Sequence, residues 1–182
     1  MAWLLPSQMT AKLAQWRGRS IVRMTRLLMD IPESIPSLYA IEATRVFRDF
    51  SAPLRIGLSD STEFVLTVDT SQSSVVLRDG SEADERRSSF RATLDATDPV
   101  YSDPGMAQAT GVVTVSLGIL VRPPKNLRHE KCARESLALG LASGRTLVFS
   151  CGLHDGSDDF AILYLDEIPP DLRAGLTSVA IE

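Results

Sequence analysis

The spacing of apolar residues changes character near residue 50. Over residues 8–29, Met9, Leu13, Trp16, Met24 and Leu27 recur at intervals of three and four, with Ser20 completing the stripe. That spacing predicts an amphipathic helix. Lys12, Arg19, Arg23 and Arg26 project from a neighbouring face. The stretch "DIPESIP" (residues 30–36) carries two prolines and reads as a linker, because proline breaks a helix. Residues 37–50 then place Tyr39, Ala43, Val46 and Phe50 on one helical face, although a strand also fits there.

Beyond Phe50 the period becomes two. Ile56 and Leu58 alternate with polar neighbours, as do Phe64, Leu66 and Val68, then Val75 and Leu77. After the turn signal "RDGSEADE" the alternation resumes with Phe90, Ala92 and Leu94. The clearest strand is "GVVTVSLGILV", where Val113, Val115, Leu117, Ile119 and Val121 face one way and Thr114, Ser116 and Gly118 the other. The intervening "DATDPVYSDPGMAQ" has two Asp-Pro steps and a glycine and reads as a long loop.

Pro123 and Pro124 end that strand, and a helix is expected at 128–143, with Ala133, Leu137 and Leu141 on one face and Glu130 four residues ahead of Arg134. "TLVFSCGL" and "FAILYLDEI" read as two strands joined by the hairpin loop "HDGSDD". Pro169 and Pro170 open a short helix or turn, and "TSVAI" reads as a last edge strand. Segregated rather than alternating elements predict an α+β fold. Its parts would be a mostly antiparallel meander sheet, a helix packed after the long strand, and an N-terminal helical region.

Charge sharpens the division. Residues 1–50 carry seven basic and four acidic side chains, a net of +3; the other twelve basic and nineteen acidic residues give −7. This asymmetry suggests an N-terminal arm, 1–50, ahead of a main α+β domain, 51–182. The length of 182 residues suits one domain with a real core, and the 44% hydrophobic content argues against wholesale disorder. A net charge of −4 excludes a generally basic nucleic-acid coat but not local patches. Only three of the nineteen basic residues are lysine (Lys12, Lys125, Lys131), a bias that coding composition explains. No apolar run reaches the roughly 18 residues that span a bilayer. The N-terminus makes a poor signal peptide, but it is acid-free until Asp30 and basic, as transit peptides are.

Two cysteines and two histidines are the chain's only soft or borderline ligands, and they fall together as His129-x2-Cys132 and Cys151-x2-His154. Two such pairs flanking a helix–strand junction could close a tetrahedral zinc shell. The order differs from the usual structural spacing, which begins with two cysteines. Strand alternation also aligns Cys151 with Leu147 and Phe149, as a core residue would be. A Cys–His pair oriented by Asp155 can be drawn, but no nucleophile signature surrounds either cysteine. There is no Gly-x-Ser-x-Gly elbow and no Gly-rich phosphate loop. Asp155, Asp158 and Asp159 lack the spacing of a calcium loop and read as a polar hairpin turn. No enzyme is expected on these grounds. Arg86, Arg87 and Arg91 flank the start of a strand as a modest basic patch, and Arg17, Arg19, Arg23 and Arg26 could form a phosphate-contacting arm.

From about Leu54 to Leu147 the order of elements resembles the coat proteins of single-stranded RNA bacteriophages. "RRSSFRATLDATDPVYSDPGMAQATGVVTVSLGILVRPPKN" carries the likeness: a strand opening with arginines, a variable loop, and a long valine-rich strand ending in "RP". "ARESLALGLASG" stands where that family has its C-terminal helix. The resemblance implies an interlocked homodimer, a closed shell in a virion, and RNA on the inward sheet face. By position Arg78, Arg91, Thr93, Thr114 and Ser116 would meet RNA, with Arg86 and Arg87 beside them. The N-terminal fifty residues and the strands over 146–165 lie outside that family's pattern. Two other readings stand beside the coat-like subunit. One is a small bacterial, cytoplasmic protein-binding module of immunity or adaptor type, docking a partner by a sheet face or acidic loop. The other is a zinc-stabilised domain.

Overall fold

A computed structural model describes residues 3–80, 90–123, 134–155 and 159–182. Its elements run α1 (Thr10–Ala14), β1 (Ile21–Leu28), α2 (Ile35–Tyr39), α3 (Val46–Asp49), β2 (Leu54–Leu58), β3 (Glu63–Asp69), β4 (Ser74–Asp79), β5 (Ala92–Asp95), α4 (Pro104–Ala109), β6 (Thr114–Arg122), β7 (Arg134–Leu141), β8 (Thr146–Cys151), β9 (Phe160–Tyr164), α5 (Pro170–Arg173) and β10 (Thr177–Ile181). The strands form two five-stranded sheets, ordered β4-β3-β2-β1-β5 and β10-β6-β7-β8-β9. Every pairing is antiparallel. The expected antiparallel α+β fold is therefore present, and it is built as two sheets packed face to face.

Strand alternation explains the packing. Met24, Leu54, Ile56, Phe64, Leu66, Val75 and Leu77 from the first sheet bury against Leu117, Ile119, Leu137, Leu139, Leu147, Phe149, Phe160 and Ile162 from the second. The opposite face of the second sheet is also covered. Leu120, Ala138, Val148, Ala161 and Leu163 pack there with Leu153, Ile168 and Leu172, so α5 and the segment before it close that face.

The helix expected over 8–29 is a correction. Only Thr10–Ala14 is α-helical, and Ile21–Leu28 is a strand lying between β2 and β5. Gly18 adopts φ +78°, which a helix does not accept, and its N–H donates to the Thr114 carbonyl (2.8 Å). Beyond it β1 buries both faces, so Met24 and Leu27, three apart, are each buried and imitate a helical stripe. The N-terminal helical region reduces to short pieces: α1 and the turn after it sink Leu13 and Trp16 into the core, and α2 and α3 are separated by Ala40 at φ 55°.

The helix expected over 128–143 is a second correction. Residues 124–133 lie outside the described part, and Arg134–Leu141 is a strand. "SLALGL" alternates large and small residues; Leu137, Leu139 and Leu141 face the core and Ser136, Ala138 and Gly140 the other side. Within the expected loop after β5, Asp103 caps α4 by accepting from Gly105 N (2.7 Å) and Met106 N (3.2 Å). On β6 a bulge between Thr114 and Ser116 shifts the alternation, so Thr114 is buried and Val115 is exposed, the reverse of the sequence expectation.

Candidate functional site

A cleft lies where the end of β1, α2, α3 and the residues flanking the β8–β9 turn meet. It encloses about 720 Å³, and its walls include Asp30, Tyr39, Glu42, Asp49, Asp155 and Asp159. Among the described residues of that lining, Arg45 and His154 are the basic groups, so the carboxylates outnumber the cations there. Arg45 holds Asp49 at 2.7 Å, an i,i+4 pair on α3. A neighbouring cleft of about 460 Å³ shares Glu42, Arg45, Asp49 and His154 and adds Arg48, Asp103 and Glu167.

Local chemistry sets this shape. The Tyr39 hydroxyl donates to Asp30 Oδ2 (3.1 Å), and its ring meets Phe50 edge-on at 4.9 Å between centroids. That hydrogen bond, with the negative charge of Asp30, raises the phenol pKa above its ordinary value. Met29 and Tyr39, each at least half exposed, line the cleft beside its acidic walls, with Ile41 and Phe50 next to them.

Beneath the floor lies Arg26, fully buried. Nε donates to Phe47 O (2.8 Å), Nη1 to Ala52 O (2.5 Å) and Nη2 to Arg48 O (3.0 Å). One side chain thus gathers α3 and the turn after it, the segment that lines the cleft. Burial lowers the Arg26 pKa to about 9, against the opposing attraction of Asp49. Arg48 ties the second wall: Nη1 donates to Asp103 Oδ2 (3.2 Å), Nη2 to Glu167 Oε2 and Nε to Ile162 O (3.2 Å). Burial lowers the Arg48 pKa, but Glu167 and then Asp103 outweigh it and leave it raised.

The sequence-derived candidates fall in several places. Of the proposed zinc set, His129 and Cys132 lie outside the described residues. Cys151 is buried on β8, while His154 lines the cleft with Nε2 3.3 Å from Asp155 Oδ1. Among the described residues, no group of three His, Cys, Asp or Glu stands close enough to hold a metal ion.

The four arginines of the proposed arm act on the protein itself. Arg17 Nη2 donates to Ile181 O (2.6 Å), Arg19 Nε lies 3.6 Å from Asp60, and Arg23 Nη2 lies 3.5 Å from Glu63. Arg26, placed by helical spacing on a solvated face, is instead in the core. Its true side was legible in strand alternation with Met24 and Leu28.

Of the proposed RNA-contacting residues, Arg86 and Arg87 lie outside the described part. Arg78, Arg91 and Thr93 are on the outer side of the first sheet but near its two opposite edges, Arg78 stacked 4.5 Å from the Trp3 ring. Between them Thr25, Arg55, Val65 and Val76 are buried. Thr114 is buried and Ser116 exposed on the second sheet, so these positions do not gather on one face. Sequence reasoning singled out the Asp155 and Asp159 loop but missed Asp30, Tyr39, Glu42 and Asp49, because α2 and α3 look like ordinary short amphipathic turns.

No protein-family model, curated protein or solved structure matches the chain. Among the described residues, no helix is long and apolar enough to cross a membrane.

Proposed function

We propose that this chain is a non-catalytic binding module that docks one protein partner in the cleft over α2 and α3, the partner supplying a segment that is both basic and apolar. The observation that carries this is the lining itself. Among the described residues, Asp30, Glu42, Asp49, Asp155 and Asp159 face a space shared with one arginine and one histidine, and exposed Met29 and Tyr39 line it too. Carboxylates attract and orient a cationic segment, and the apolar rim supplies area for affinity. The volume suits a few side chains of a peptide. This is favoured over an RNA-binding coat subunit because Arg78 and Arg91 lie near opposite edges of the first sheet, whereas the carboxylates line one cleft.

The test is a binding titration with two labelled helical peptides of equal length, one of lysine and leucine and one of glutamate and leucine. The basic peptide should bind, with NMR shifts centred on Tyr39, Ile41 and Glu42. Equal binding of both peptides, or shifts elsewhere, overturns the proposal.

A further inference from the structure

An edge strand leaves backbone N–H and C=O groups unpaired on its outer side, and proteins close such edges. Beside β4, Leu4 N donates to Leu77 O (3.0 Å) and Leu77 N to Leu4 O (2.8 Å). On β9, side chains do the same work: Phe160 N donates to Ser51 Oγ (3.1 Å), Arg48 Nε to Ile162 O (3.2 Å) and Tyr164 N to Glu167 Oε2 (2.9 Å). β5, the remaining edge of the first sheet, is only four residues long.

β10 is different. It pairs with β6 over all five residues, from Thr177↔Val121 to Ile181↔Leu117, without a bulge. Thr177, Ser178, Val179 and Ala180 are exposed. The strand "TSVAI" has no charge and no proline, so it lacks those two blunting devices. At its end, Arg17 donates to the carbonyl of Ile181.

We propose that β10 pairs antiparallel with β10 of a second copy across a two-fold axis, joining the two second sheets into one ten-stranded sheet. A strand that pairs antiparallel with itself meets its own sequence reversed, which satisfies a two-fold operator. Centred on Val179, this register sets Val179 against Val179 and Thr177 against Ile181. The absence of charge matters here, because any charge at the centre would face its own copy. Val179 is half exposed in the single chain and is the apolar side chain this pairing would cover. Five residues of edge bury less than the roughly 1,200 Å² of a standard stable interface, so the dimer is weak and concentration-dependent.

Sedimentation equilibrium of the full chain over a wide concentration range tests this. The average mass should rise from one chain toward two. Val179→Asp and Val179→Lys should each stay monomeric at every concentration, and an equimolar mixture of the two should recover dimer. A wild-type mass that stays at one chain overturns the proposal, as does dimerisation of either variant alone with wild-type strength. A mixture that fails to associate also overturns it, both variants being checked as folded by thermal melting. Hydrogen exchange on the unmodified chain gives a second readout. Amides within 177–181 should gain protection as concentration rises, and unchanged protection there overturns the pairing.

Discussion

The guanidinium of Arg26 lies 4.6 Å from the ring centroid of Phe160, so a cation on the first sheet stacks on an aromatic ring of the second. Phe47 offers a second ring at 5.9 Å, and three backbone carbonyls complete the shell. Taking a guanidinium out of water costs several kcal/mol, and this shell offsets that cost through charge-assisted hydrogen bonds and ring quadrupoles.

Arg26→Ala should therefore do more than open a cavity. The carbonyls of Phe47, Arg48 and Ala52 lose their donor in a place that water reaches poorly. A loss of about 3–5 kcal/mol in urea unfolding is expected. Arg26→Lys should recover only part of it, since an ammonium lacks the planar fork that reaches all three carbonyls. Equal stability of Arg26→Lys and wild type would count against this account.

The same geometry links stability to the binding site. If the cleft recognises a basic segment, Asp30→Asn and Glu42→Gln should each weaken the lysine–leucine peptide several-fold and reduce the slope of log affinity against log salt. Glu42 is exposed, so the urea midpoint of Glu42→Gln should stay close to wild type, whereas Asp30→Asn weakens the bond from Tyr39 and should lower it slightly. Unchanged affinity with an unchanged slope would place the peptide elsewhere.

Tyr39 gives a reading that needs no ligand. Its hydroxyl donates to Asp30, and its pKa is raised by that bond and by the carboxylate charge. The folded state thus holds this proton more tightly than the unfolded chain does. The resulting stabilisation is present below the ordinary tyrosine value near 10 and is lost as pH rises through the elevated folded value. In a phenolate absorbance titration, Asp30→Ala should bring one late-titrating tyrosine down, and Tyr39→Phe should remove that same component. Tyr164, raised by burial against the opposing charge of Arg145, should remain late in both variants.

Sequence pattern revealed the strands that are short apolar runs bounded by turn signals. β3, β4, β8 and β9 are of this kind, and the connection between β8 and β9 falls where "HDGSDD" placed it. The pattern misled where polar side chains lie within a buried strand. β1 is buried from Met24 to Leu28 although it carries Thr25 and Arg26, so a helical period can be fitted to it, and an arginine facing inward looks like an exposed one. On β7 the alternation was between leucine and small residues rather than apolar and polar ones, and helix-forming neighbours outweighed it. The cleft was illegible for another reason. Its acids come from residues 30, 42, 49, 155 and 159, and only the fold brings them together. Cys151 shows the converse: alternation with Leu147 and Phe149 placed it in the core, where it is.

Gly80 tests how tightly the β3–β4 pair is closed at its end. A Cβ there would lie 2.5 Å from Glu63 Cβ, 2.7 Å from Glu63 C and 2.8 Å from Glu63 O. Two of these atoms are backbone, so no side-chain rotation relieves the contact. Either the end of β4 must move away from β3, or Glu63 must shift and loosen its approach to Arg23. Gly80→Ala should cost about 1–3 kcal/mol, as overpacking does. Gly175 is the control, because a Cβ at that position meets nothing within 4 Å and its φ is not in the left-handed region. Gly175→Ala should be neutral or gain about 0.4–1 kcal/mol by restricting the unfolded chain. Parallel urea unfolding of the two variants separates a steric cost at the strand end from the general cost of replacing glycine. Equal midpoints would show that the β3–β4 end yields to a methyl group without loss.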